Sequence, residues 1–178
     1  MMRNPLRKLC ADASGAAIIE LALVAPILAV MVVGVVDMSN AVSRKLALEQ
    51  GAQRAIEKIM QTTGDETVEA TIKNEAVCQV NGMNTNGSCK TSPITASNVT
   101  VTYRLECTDV STGAVTSQTN TDAIVFDTLT CPSTARDSRY IQVAVSDRYT
   151  PMFGMHFAGL NSSDSSYHLL ATAGMRTQ

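Results

Sequence analysis

The sequence predicts an α+β chain, in which one long N-terminal helix, transmembrane at first and amphipathic beyond, leads into a small antiparallel β-sheet head held by disulfides. Residues 16–36 carry a single charge, Glu20, in an otherwise apolar run. The hydrophobic period then stays helical to about residue 62, and from Val99 onward it changes to two. Four of the five cysteines lie beyond the apolar run, on one side of it.

The first fifteen residues are short and basic, with Arg3, Arg7 and Lys8, and read as a leader. The 21 residues from Ala16 to Val36 reach roughly 30 Å at about 1.5 Å per residue, the thickness of a bilayer core. They are long enough to span it. Basic residues precede the run and Asp37 is the first charge after it, so the positive-inside rule puts the N-terminus in the cytoplasm and the remainder outside. Glu20 costs about 2.5 to 3.5 kcal/mol at a bilayer centre and less near its surface, which marks it as a functional residue needing a partner. Pro26 lies within the span and removes one helical hydrogen bond, a defect that membrane helices tolerate when neighbouring groups supply the lost contact.

Residues 37–62 form the predicted stem. Val42, Leu46, Leu48, Ala52, Ala55, Ile56 and Ile59 recur near helical spacing, with charged residues between them. Thr62, Thr63 and Gly64 end this rod, and Asp65 to Val77 reads as a second, shorter helix with an acidic first turn. The head therefore covers residues 63–178. Within it Asn81 to Asn86, with Gly82 and Gly87, form a turn-rich loop. Val99, Val101, Tyr103, Leu105 and Cys107 alternate with polar residues as a half-buried strand does. Ser111, Thr112 and Gly113 supply a turn, and Val115 to Thr121 pairs back. Ile124–Leu129, Ile141–Val145 and Tyr167–Met175 are the remaining strand candidates.

With seven aromatic residues and no Trp, such a head has a small core that needs reinforcement. Cys78, Cys89, Cys107 and Cys131 offer it, and an even set on one side of a membrane reads as an oxidised, exported framework. Three pairings are open to four cysteines. The sequential one, Cys78 to Cys89 and Cys107 to Cys131, closes the shortest loops, and each bridge would stabilise by about 3 kcal/mol. Four free buried thiols are the competing reading.

Little else points to chemistry. His156 and His168 stand in no catalytic spacing, and no glycine-rich phosphate loop or CxxC pair occurs. Asp122, Asp127, Asp137 and Asp147 are scattered and read as solvated loop or strand-end residues. Beyond Val36 there are 11 basic and 14 acidic residues without a basic run, which leaves no footprint for nucleic acid. No cofactor, metal or enzymatic activity is expected.

The junction string SGAAIIELALVAPIL, Ser14 to Leu28, places a small residue, an apolar helix and a glutamate in the order seen in type IV pilins, which it resembles. In those proteins a membrane-embedded aspartyl prepilin peptidase cuts after the glycine, before the apolar run, and the helix stays on the mature protein. The resemblance implies cleavage between Gly15 and Ala16. Glu20 then lies about one helical turn from the new amine of Ala16, or beside that of a neighbouring subunit. Ala16, Ala17, Ala22, Ala25 and Ala29 let partner helices approach.

The longer string from Ser14 to Ala41 is similar to the membrane segment of the TadE-like family, and YIQVAVSDRYTPMFG with LLATAGMR resembles that family's terminal strands. This family belongs to the tight adherence (Tad, or Flp) pilus machinery and contains minor pseudopilins of the bacterial cytoplasmic membrane. The resemblance covers both ends and not the cysteine-rich middle. Leu21 departs from it, because an aromatic residue usually follows the glutamate. The resemblance implies an adhesion-pilus role, with membrane lipid, a prepilin peptidase and other pilins as partners and a periplasmic head. The alternative is an uncleaved, signal-anchored periplasmic binding module.

Overall fold

The computed structural model describes residues 13–61, 69–153 and 159–177, with side chains of the first helix described from residue 17. Helix α1 runs Ala13–Gln61 and helix α2 Glu69–Asn81. A 3-10 turn, Ala96–Asn98, leads into strand β1, Val99–Asp109. Strand β2 (Val115–Asn120), helix α3 (Ala123–Asp127), strand β3 (Ala135–Tyr149) and strand β4 (Tyr167–Arg176) follow. The strands form one antiparallel sheet in the order β2-β1-β3-β4. The α+β class expected from the sequence is the one observed.

One face of the sheet is covered by the helices, α1 over β3 and β4 and α2 over β1. The two-residue period selects that face: Val99, Val101, Tyr103, Leu105 and Cys107 are buried, and Thr100 and Arg104 between them are exposed. Val143, Val145 and Ala171 extend the same face across the sheet, paired Val101 to Val143, Val99 to Val145 and Val145 to Ala171. Against it pack Leu48, Ala52, Ala55 and Ile56 of α1 and Ile72, Ala76 and Val77 of α2. Each large side chain buried here contributes about 1.5 to 3 kcal/mol. A part-exposed pair such as Lys73 with Glu69 contributes about 1 kcal/mol at most, so the shared apolar face decides the stability.

The stem is thus part of the core of the head. Its buried stripe runs through Asp37, Ala41, Leu48, Ala52, Ala55 and Ile56, whereas Val42 and Leu46, expected to belong to it, are about half exposed on another side of α1. The two helices approach closely at Gly51, where an added Cβ would come 2.5 Å from Val80 Cγ2 and 3.0 Å from the Ala76 carbonyl oxygen.

The structure pairs Cys78 with Cys89 and Cys107 with Cys131, at Cα separations of 4.7 and 5.5 Å, within the range that a disulfide spans. The first bridge closes the loop that follows α2. Gly82, in the left-handed conformation, donates its N–H to the Cys78 carbonyl and ends the helix. Asn81 then donates to the carbonyls of Lys90 and Ile94 and accepts the Ile94 N–H, which pins that loop to the core. The second bridge ties β1 to the segment before β3, across 24 positions. Replacing both Cys107 and Cys131 by serine is expected to lower stability by about 3 kcal/mol through release of that loop. Thermal unfolding of the full chain in detergent, under non-reducing conditions, measures it.

Three expectations about the bounds and types of elements need correction. Ile124–Leu129 is not a strand: Asp122 accepts the N–H groups of Ile124 and Val125 and starts the short helix α3, whose Phe126 stacks on Tyr103 with ring centroids 5.4 Å apart. Strand β3 extends well beyond Ile141–Val145, since β1 pairs with it from Ala135 to Val145 and β4 from Tyr140 to Tyr149. The second helix runs to Asn81, four positions past its expected end, while Thr62 to Asp65 lie outside the described residues.

The hairpin between β1 and β2 is closed by Asp109. Its Oδ1 accepts the Ser111 and Thr112 N–H groups at 2.9 Å each and their hydroxyls at 2.6 and 3.1 Å. These bonds, the Ser111 hydroxyl first, hold the carboxyl down to about 2. A group whose folded value is depressed stabilises fully above its unfolded value and ceases to as pH falls through the folded one. Amide resonances of Ser111 and Thr112 are therefore expected to keep their neutral-pH shifts through the ordinary carboxylate range and to move only as pH approaches about 2.

Candidate membrane and assembly interface

From residue 17 to Val36 the side chains of α1 contribute nothing to the core. Ile18, Ile19, Leu21 and Leu23 are 65 to 69% exposed, and Ile27, Leu28, Val30, Met31 and Val32 more than half so. This half of the helix is the candidate membrane span, and its most apolar stretch has a mean hydropathy of 2.7. So large an apolar surface needs lipid or other helices to cover it.

Glu20 is exposed on this surface among Ile18, Ile19, Leu21 and Leu23. Among the described residues no ion pair or hydrogen bond to its carboxylate occurs. At helical spacing it shares a side with Val24, Ile27 and Met31, while Ala22, Ala25 and Ala29 share another. The helix continues through Pro26, which leaves the Ala22 carbonyl without its usual intrahelical donor. Gly15 and Ala16 belong to the backbone of the same helix, one turn before Glu20.

The span meets the head at a set of polar contacts that sequence reasoning missed. Asp37, directly after Val36, is only 1% exposed. Its carboxylate accepts the Met152 N–H at 3.0 Å and the Phe153 N–H at 3.3 Å, and the Tyr149 hydroxyl donates to it at a long 3.5 Å. Two turns further along, the Arg44 guanidinium donates to Asp147 at 2.6 Å, with side chains 21% and 10% exposed. Asp147 was expected to be a solvated strand-end residue. It is instead the partner that fixes the end of β3 to α1. The signal available in the sequence was weak: two lone aspartates more than a hundred positions apart, one after an apolar run and one inside an alternating strand.

Beside this junction His168 lies within hydrogen-bond distance of Asp164, Nε2 to Oδ2 at 2.6 Å, and Arg148 lies 3.6 Å from the same carboxylate. The His168 contact, above all, lowers the Asp164 carboxyl to about 2. This cluster joins β4 to the turn before it, as a surface residue does. His156 lies outside the described residues. Among the described residues no group of three or more His, Cys, Asp or Glu side chains is placed to hold a metal.

Residues 15–56 match the family model described as TadE-like protein. The matched stretch holds the exposed half of α1 together with the buried stripe from Asp37 to Ile56, and it supports a part in a Tad-type pilus system. No curated protein and no solved structure matches the chain.

Proposed function

We propose that this chain, TadE-like over residues 15–56, is a minor pilin or pseudopilin that takes part in assembling a Tad-type, type IVb-like adhesion pilus. Residues 1–15 are a leader that prepilin peptidase removes between Gly15 and Ala16. Residues 16–36 cross the bacterial cytoplasmic membrane once with the N-terminus inside, the stem covers 37–62, and residues 63–178 form a periplasmic head. The chain is a substrate of an enzyme and performs no catalysis of its own.

One observation carries this reading: the family match falls on a helix whose apolar half lies outside the core, largely exposed, and holds a single carboxylate. Cleavage after Gly15 creates an amine at Ala16 one turn from Glu20. Pairing the two charges, within one helix or between neighbours, lowers the cost that either would carry alone in lipid. The pair then sets the register between helices on its own side of α1, and Ala22, Ala25 and Ala29 permit close approach of a further helix on the opposite side. The head selects other pilins of the same system.

Mass spectrometry of the chain purified from its host membrane tests the cut. A mature N-terminus at Ala16 is expected. A retained leader would favour the uncleaved, signal-anchored binding module instead, and Leu21, in place of the usual aromatic residue, makes this the measurement to do first.

A further inference from the structure

We infer that the Met152–Phe153 turn is a second membrane contact, inserted into the lipid interface beside the span and setting how the head stands on the bilayer. The inference rests on residues 16–36 being the span. These residues cover roughly 30 Å, so Asp37 leaves the hydrocarbon core and enters the headgroup layer. Met152 and Phe153 donate their N–H groups to the Asp37 carboxylate, which holds their backbone within about one hydrogen-bond length of that depth. Their side chains are nevertheless 74% and 53% exposed, while Pro151 before them is buried.

Two facts converge on lipid as what covers this turn. The turn sits at the end of the exposed apolar surface of the span, since Asp37, which holds it, lies between Val36 and Met38 on α1, themselves 44% and 56% exposed. The usual obstacle to putting a turn at this depth is its unsatisfied N–H groups, and here Asp37 accepts two of them. In return the turn buries the carboxylate that would otherwise face the acyl boundary. Apolar side chains on a backbone so satisfied partition into the zone where interfacial segments bury their apolar side.

The chain has no tryptophan, so one introduced residue reports alone. The full chain carrying Phe153→Trp, reconstituted at low density in phosphatidylethanolamine and phosphatidylglycerol vesicles, is expected to emit blue-shifted light. Lipids brominated near the top of the acyl chain should quench most of it. The chain carrying Val115→Trp, at the far hairpin, should emit as in water and resist quenching. A water-like, unquenched Phe153→Trp spectrum in protein that floats with the vesicles would overturn the inference and leave the span intact. Quenching protection or a blue shift that appears only at high protein density would place a second copy over the turn, and overturn it too. Protein that does not float with the vesicles would remove the span and this contact together.

Discussion

A chain carrying Glu20→Ala is expected to insert and be cut normally yet to yield no pili, counted by electron microscopy and as shear-released pilin from a strain holding no other copy. The substitution removes a charge that insertion disfavours by up to about 3 kcal/mol, and alanine is the better helix former, so neither the span nor α1 is harmed. What disappears is the partner of the Ala16 amine. Leaving that amine unpaired in lipid at a cost of even about 2.5 kcal/mol weakens each helix contact by on the order of a hundredfold. Glu20→Gln keeps the shape and the hydrogen-bonding oxygen while losing the charge, and it should fail in the same way. Normal piliation with either change would sink the register role of Glu20.

Much of the architecture was legible because two periods are written cleanly into the chain. Val99 to Cys107 alternate without a break, and all five apolar members face the core. Leu48, Ala52, Ala55 and Ile56 keep a helical period and all bury. Legibility failed where a local signal competed with a capping group or a distant partner. Ile124, Val125 and Phe126 have strand-like composition, and only the N-capping carboxylate of Asp122 turns them into a helix. Polar residues such as Arg136 and Asp137 belong to β3 because β1 opposite them supplies the ladder, something their own sequence does not announce. Val42 and Leu46 satisfied the helical period as well as Ala41 did, yet the sheet lies on the Ala41 side, a choice that only tertiary packing makes.

Asp37 is the sharpest case, and its replacement is the second large effect expected. In the sequence it is merely the first charge after an apolar run, and it served to orient the span. In the fold it holds the turn after β3 to α1 through two backbone N–H groups, and hydrogen bonds to a charged acceptor are worth about 1.5 to 3 kcal/mol each. The Tyr149 hydroxyl, at 3.5 Å, adds little. Asp37→Ala removes both bonds and leaves the two part-buried N–H groups without their charged acceptor, so a loss of about 3 kcal/mol is expected. Asp37→Asn keeps one acceptor oxygen but turns an amide donor toward the other N–H, and should recover about half of that at most. The damage should be local. Leu48, Ile72, Leu105 and Val143 are packed independently of the junction, and Arg44 still holds Asp147, so the sheet amides should keep their protection in hydrogen exchange. The Met152 and Phe153 amides should exchange far faster, and the melting temperature of the full chain should fall. Unchanged exchange at those two amides in Asp37→Ala would show that the carboxylate does not hold the turn. With the turn released, the head would keep its fold but lose a fixed stance relative to the helix that carries Glu20, so Asp37→Ala should also reduce piliation while leaving the mature N-terminus at Ala16.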